Sequence, residues 1–251
     1  MTLPGSYVKV VLLIFPERWW LLLGHLYVML SKTDTRMGRF IRFCTKCEFN
    51  HVSLCIDDRL QSFVSFARYR QDVPLAGGAV TESLERLFSC GEVLPVKLYK
   101  LEISQDKLRK IEALFKELKD AHLVYNTPGA LFNGCKIHYP VPGAYTCLEF
   151  AEAILGTKVK SIDRLGKELE PWLYFQGDLF DLLQASGDRS DPYFQKRGFL
   201  KGSWDTINHF STLFLRTLRL ERPQDPIAGC QLDILPYHHL DIDTEKQLTF
   251  L

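Results

Sequence analysis

The chain has 251 residues, 46% hydrophobic and 12% aromatic. That is enough apolar material for a sizeable core, in one large domain or a domain with an extension. Its 31 basic and 30 acidic side chains leave a net charge of +1, so no electrostatic footprint points to nucleic acid or to an acidic partner surface. Seven cysteines at irregular spacing fit reduced thiols in a cytoplasmic setting and argue against a disulfide framework.

The first 25 residues form an apolar extension. Val8 to Phe15 and Trp19 to Leu23 are apolar runs separated by Pro16-Glu17-Arg18. Neither approaches the roughly 18–20 residues that a membrane helix needs, and neither carries a clear secretory signal. Such runs fit an extra packed strand or helix, a surface-seeking tail, or a start site assigned too far upstream. From Leu26 to Leu30 the pattern is a strand, and Thr33 to Phe43 reads as a capped short helix. His51 to Ile56 and Leu60 to Phe66 predict two strands joined by the turn Asp57-Asp58-Arg59. Gly77-Gly78 marks a loop. Val96 to Ile103 alternates as a strand, and Ser104 then caps a helix to about Ala121 with Leu108, Ile111, Leu114, Phe115 and Leu118 on one stripe. A Pro/Gly-rich approach precedes a helix from Cys147 to Leu155. Near the C-terminus, Thr206 to Leu220 carries Ile207, Phe210, Leu213, Phe214 and Leu218, a stripe expected to dock on the domain, with a partner or membrane-surface helix as the alternative.

Cys147 draws the chemical argument. A thiol at a helix N-terminus sits by unpaired backbone N–H groups and the positive end of the helix dipole, a setting that favours the nucleophilic thiolate. The alternative is a small buried hydrophobe. His51 opens a strand, where an imidazole can be held rigidly enough to act as a base. A hairpin centred near Asp58 sets His51 opposite Ser65, to within about one or two residues. A polar group there would fix the imidazole tautomer. Cys44-Thr45-Lys46-Cys47 is a lone CxxC, with Cys135 and His138 as a conceivable second half-site for zinc. A structural zinc usually wants four ligands in recognisable pairs, so no metal or other cofactor is assigned. His238-His239 reads as a solvated pair.

Several of these stretches resemble one family. Tyr27 to Ile56, with Thr33, Thr35, Met37, Gly38, Ile41, Arg42 and His51-Val52-Ser53, is similar to the start of the circularly permuted branch of the NlpC-type, papain-like cysteine peptidase superfamily. Val64-Ser65-Phe66-Ala67-Arg68 resembles the Tyr-Ser-Phe-Gly-Arg motif of its small bacterial members. Gly77-Gly78-Ala79-Val80-Thr81-Glu82 resembles their Gly-Gly-Phe-Val-x-Glu motif, and Tyr145-Thr146-Cys147-Leu148-Glu149-Phe150 their Tyr-x-Cys-Ser-x-Phe nucleophile motif. Glu170-Pro171 and Tyr174 to Leu179 resemble the closing segment. Ala67, Ala79 and Leu148 depart from the family's Gly, Phe and Ser.

The resemblance implies an α+β, permuted papain-like fold, an antiparallel sheet or small barrel packed on helices, with the nucleophile at a helix N-terminus. It implies a hydrolase domain over residues 26–184, between the 1–25 extension and a helical extension at 185–251. It implies Cys147 as nucleophile and His51 as base, forming an acyl-enzyme from an amide, ester or thioester. The substrate would be a small acyl compound, peptide or lipid. Ser65 is the third member from the hairpin argument alone, and Tyr145 either binds an oxyanion or packs. No membrane-spanning segment is expected, although peripheral membrane contact is compatible with the chain. Two other functions compete: an inactive binding module for a peptide or lipid on the same fold, and a metal-stabilised interaction protein built on Cys44 and Cys47.

Overall fold

The computed structural model describes residues 23–89, 91–132, 139–184, 190–230, 232, 234 and 235. The apolar runs before Leu23, together with Cys135, His138 and His238-His239, lie outside them. The architecture is α+β: one open, mixed sheet of eight strands packed with helices.

Strand β1 (Leu23–Ser31) leads into α1 (Arg36–Thr45). Strands β2 (His51–Cys55), β3 (Ser62–Arg70) and β4 (Val73–Ser83) follow, then the short helix α2 (Leu84–Phe88). Next come β5 (Pro95–Ser104), α3 (Gln105–Glu117), the two-residue β6 (Val124–Tyr125), α4 (Thr127–Phe132) and the two-residue β7 (Ala144–Tyr145). Helices α5 (Cys147–Leu155) and α6 (Ile162–Leu169) precede β8 (Leu173–Asp178), α7 (Leu179–Leu182) and the long α8 (Phe199–Thr217). The sheet order is β7-β6-β4-β3-β2-β1-β5-β8. Every neighbouring pair is antiparallel except β6 and β7.

The strand alternation of β1 divides the core. Leu26, Val28 and Leu30 point to the face covered by α3, α5 and α6, where Phe66, Tyr99, Ile111, Leu114, Phe150, Ile154 and Leu165 share one buried cluster. Tyr27 and Met29 point to the other face, against Phe63, Leu84, Leu87, Leu94, Leu98 and Leu179. Both faces of β1 are therefore covered. This explains why its sequence is a continuous apolar run rather than an alternation. The stripe on α3 packs as expected, with Ile111, Leu114, Phe115 and Leu118 buried.

Two expectations need correction. Gly77-Gly78 is not a loop: both glycines lie inside β4, paired with Arg68 and Ala67. A Cβ on Gly77 would sit 2.4 Å from the Ala67 carbonyl oxygen, and one on Gly78 would sit 2.1 Å from the Tyr69 hydroxyl and 2.3 Å from the Leu123 carbonyl oxygen. These glycines permit close backbone approach within a strand. Gly78→Ala is expected to destabilise the protein by about 1–3 kcal/mol, read from the urea midpoint, because the added carbon must displace main chain.

The second concerns α8. It does dock on the domain, yet of Ile207, Phe210, Leu213, Phe214 and Leu218 only Leu213 is buried. The contact face instead uses polar groups. Arg216 donates to the carbonyls of Gly143 (2.8 Å) and His122 (3.2 Å) and pairs with Glu221 at 2.9 Å. His209 meets the Thr127 hydroxyl at 3.2 Å. Among the described residues, no helix is long and apolar enough to cross a membrane.

Candidate active site

The start of β2 is fixed by a small polar network. Asn50 is buried; its Oδ1 accepts from the Thr33 amide at 3.0 Å and from Arg42 at 2.9 Å, and its Nδ2 donates to Thr33 Oγ1 at 2.6 Å. Thr35 caps α1 by accepting from the Gly38 amide. Gly38 is required where it stands, because a Cβ there would lie 2.6 Å from both Asn50 Nδ2 and the Thr33 carbonyl oxygen. The network ties α1 to the residue that immediately precedes His51. Thr33, Thr35, Gly38 and Arg42, which the sequence sets apart as a group, thus have a common structural role.

Cys147 is the first residue of α5, directly after the cap Thr146. Thr146 Oγ1 accepts from the Glu149 amide at 3.1 Å, and Glu149 Oε2 accepts from the Thr146 amide at 2.7 Å. This capping box turns the Glu149 carboxylate onto the backbone. It leaves the amides of Cys147 and Leu148 as first-turn donors with no acceptor inside the helix. The helix ends at Gly156, whose φ of 73° closes it in the left-handed conformation that glycine adopts freely.

The structure sets Cys147 beside His51, near enough for its side chain to raise the imidazole pKa. On the same ring, Nε2 lies 2.8 Å from Glu82 Oε2, and both side chains are nearly excluded from solvent. Nε2 is thus engaged by a carboxylate. Glu82, near the end of β4, is itself backed by Arg86, whose Nε stands 3.7 Å from its other oxygen. Arg86 lies over the Tyr193 ring with its Cζ 4.5 Å from the centroid, and Arg68 donates to the Tyr193 hydroxyl.

The electrostatics follow from this chain of contacts. Burial opposes a charge on His51, but the Glu82 carboxylate that accepts from the ring, with Cys147 beside it, outweighs burial and pushes its pKa up to about 10. Burial likewise opposes charge on Glu82, yet His51, Arg86 and Arg68 together hold it below the usual carboxylate range. His51 is accordingly an imidazolium at neutral pH, held between a carboxylate and a sulfur.

The hairpin register explains where Ser65 falls. The observed pairing is Leu54 with Val64, whereas a centre at Asp58 would pair Leu54 with Ser62, a register slip of two residues. A two-residue slip keeps each side chain on its face. Ser65 accordingly remains near the ring, with Oγ 3.4 Å from Nε2, but its hydroxyl donates to the Val52 carbonyl at 2.8 Å. Glu82 is the shorter contact to Nε2 and carries the charge, while Ser65 keeps the longer contact to the same nitrogen.

Tyr145 does not face the reacting groups as a free donor: its hydroxyl donates to Asp225 at 2.8 Å, and its ring packs on Phe66 with centroids 5.5 Å apart. Tyr145→Phe is expected to leave Cys147 labelling within about two-fold and to cost about 1 kcal/mol of stability, the worth of one hydrogen bond, measured by denaturant unfolding. Tyr125, like Glu82, is not singled out by the sequence. It lines the same cleft as His51 and Glu82. Its buried hydroxyl is kept protonated by burial first and then by the nearby Cys147 and Glu149. A two-residue strand bearing one tyrosine gives no pattern by which it could have been singled out. Leu148 points into the core.

The cleft has a volume of about 90 Å³ and is lined by Met37, Ile41, His51, Phe66, Glu82 and Tyr125, among others. Cys147 itself is 5% exposed. Such a space admits the end of a chain rather than a whole drug-sized ligand. Elsewhere, Cys44 and Cys47 are partly exposed free thiols. Among the described residues, no group of three or more His, Cys, Asp and Glu side chains is placed to hold a metal.

No protein-family model matches this chain, and no solved structure matches it. Among curated proteins, adenosine deaminase of Clostridium perfringens (strain 13 / Type A) is 27% identical over 116 residues, which is 46% of this chain and 35% of that protein. Adenosine deaminase of Clostridium perfringens (strain ATCC 13124) is 26% identical over the same length. The chain thus spans about a third of the length of the curated relatives it matches.

Proposed function

We propose that the protein is a thiol hydrolase or acyltransferase of the permuted papain-like kind, with Cys147 as nucleophile, His51 as acid and base, and Glu82 as the residue that orients and charges the imidazole. The observation that carries this reading is the buried His51–Glu82 pair at 2.8 Å, with Cys147 beside the same ring at the start of α5. A nucleophile, a base and an orienting third group in hydrogen-bond sequence is the arrangement that covalent acyl transfer uses.

In this reading the sulfur attacks an acyl carbon as the thiolate, its proton already on His51, and the carbonyl electron pair moves onto oxygen. The amides of Cys147 and Leu148 and the Tyr125 hydroxyl supply donors for that oxyanion. His51 gives its proton to the departing amine, alcohol or thiol, leaving an acyl-thioester on Cys147. The imidazole then takes a proton from water or another acceptor, which attacks the acyl carbon, carries the acyl group away and restores the thiolate beside the imidazolium. The scissile bond is an amide, ester or thioester, and the narrow cleft suits an acyl, peptide or lipid chain presented by one end. All five described cysteines are free thiols, in keeping with a reducing, cytoplasmic setting for such a nucleophile.

The likeness to adenosine deaminases covers too little of those proteins to carry their activity here. An inactive binding module on the same fold is the rival that the cleft admits. An acyl-ester or acyl-thioester probe, followed by mass mapping, separates the two: an acyl mass on Cys147 that disappears in His51→Ala supports catalysis. A cleft that holds the probe without ever forming the adduct supports the binding module.

A further inference from the structure

Helix α8 presents its apolar residues to solvent. Leu200, Trp204, Ile207, Phe214 and Leu218 recur at helical spacing on one side, and Leu200, Trp204 and Phe214 are 82%, 63% and 62% exposed. The opposite side, with His209, Leu213 and Arg216, is the one packed against the domain. The helix therefore points its greasy face outward and its polar groups inward, the reverse of a surface helix that serves only to cover a core. Exposed apolar patches of this extent mark contact surfaces.

The charges around the stripe indicate what touches it. Residues 195–222 carry six basic and two acidic side chains. The two acids are already paired, Asp205 with Arg197 at 2.8 Å and Glu221 with Arg216 at 2.9 Å. Lys196, Lys201, Arg219 and Arg222 are exposed and make no ion pair with any described residue. They sit at the two ends of the stripe, Lys201 in the first turn of the helix and the others beyond its ends. At 19 residues the helix is about 28 Å long. An aromatic and leucine face, flanked at both ends by free cations, matches an anionic lipid surface, into which such a helix sinks its apolar side while the cations meet headgroups.

We propose that α8 is a membrane-surface helix, binding anionic bilayers in the plane of the interface through Leu200, Trp204, Ile207, Phe214 and Leu218, with Lys196, Lys201, Arg219 and Arg222 on the phosphates. The helix lies outside the stretch that resembles papain-like hydrolases, and the binding is independent of catalysis at Cys147.

The test is flotation of the purified full-length protein with phosphatidylcholine vesicles, with and without added phosphatidylserine. The wild type should float with the anionic vesicles. Trp204→Glu with Ile207→Glu should lower the bound fraction about ten-fold or more, with an unchanged melting curve because both side chains face solvent. Lys201→Glu with Arg219→Glu should lower binding about ten-fold on anionic vesicles only, each cation contributing several-fold near such a surface. Cys147→Ser should float as the wild type does, so a failure of the catalytic reading leaves this result intact. Absence of flotation, or flotation indifferent to both pairs of substitutions, overturns the proposal. So does a dimer seen by gel filtration that the Trp204/Ile207 pair dissolves without any vesicle binding, since a second copy would then own the face.

Discussion

Cys147→Ala is expected to abolish acyl-probe labelling and to lower turnover of any accepted amide, ester or thioester by about 10³-fold or more, as removal of a covalent nucleophile does. The loss should come without unfolding. Cys147 is a small buried side chain, and its replacement removes one sulfur from the N-terminal turn of α5 while the capping box of Thr146 and Glu149 stays in place. His51→Ala should remove roughly 10²–10⁴-fold, the usual contribution of a positioned acid–base group. It should also slow adduct formation at Cys147 itself, because the imidazolium is the cation beside the sulfur. Parallel melting curves for both variants would tie the kinetic losses to chemistry rather than to folding.

Glu82 is expected to give the second large effect, on both activity and stability. Glu82→Gln keeps the side-chain shape and removes the charge. Burial, which opposes the charged imidazole, then acts on His51 without its main counterweight, and the ring should be neutral at pH 7. A fall in turnover of about 10–100-fold is expected from loss of the orienting partner. Glu82→Ala also removes the carboxylate that faces the buried imidazole, at a cost of about 3–5 kcal/mol, the usual penalty for breaking a buried ion pair.

The pH dependence carries a definite sign. The folded-state value of His51, about 10, exceeds its ordinary 6.5, so the stability it contributes is fully present below pH 6.5 and is lost as pH rises through about 10. Glu82 is depressed below its ordinary 4.5, so its contribution is present above that value and is lost as pH falls through the depressed one. Urea midpoints measured across this range should decline at both ends in the wild type. In Glu82→Gln the alkaline decline should vanish.

Much of this site could be read from the chain, for identifiable reasons. The helix at Cys147 begins and ends as expected because its boundary signals are local: a Pro/Gly approach, a Thr cap with Glu three residues on, and a closing glycine. The strands at Leu26, His51 and Val96 were legible from apolar runs and alternation. Glu82 was not, because it lies 31 residues from His51 and its role depends on how β4 folds over the ring. Its only sequence signal was membership of the Gly-Gly-Ala-Val-Thr-Glu string. Ser65 was chosen by local pairing, which finds neighbours along a hairpin but cannot see a carboxylate arriving from another strand. Gly77 and Gly78 misled because glycine signals freedom as readily in a close-packed strand as in a turn. On α8 the helical period gave a stripe, but period alone does not say which side meets the protein, and buried Arg216 and His209 decided it.

The central claim, that Cys147 is set apart by His51, is tested most directly by site-resolved alkylation of the native protein with iodoacetamide at neutral pH. Among the described residues Cys44, Cys47 and Cys230 are the partly exposed thiols, and Cys55 is buried with its pKa pushed up to about 12, chiefly by that burial. If exposure alone governed, Cys44, Cys47 and Cys230 would react first and Cys147 would lag. The account expects the opposite: Cys147 modified first despite its burial, with that lead lost in His51→Ala. Modification in order of exposure, or a Cys147 rate unchanged by His51→Ala, would contradict it.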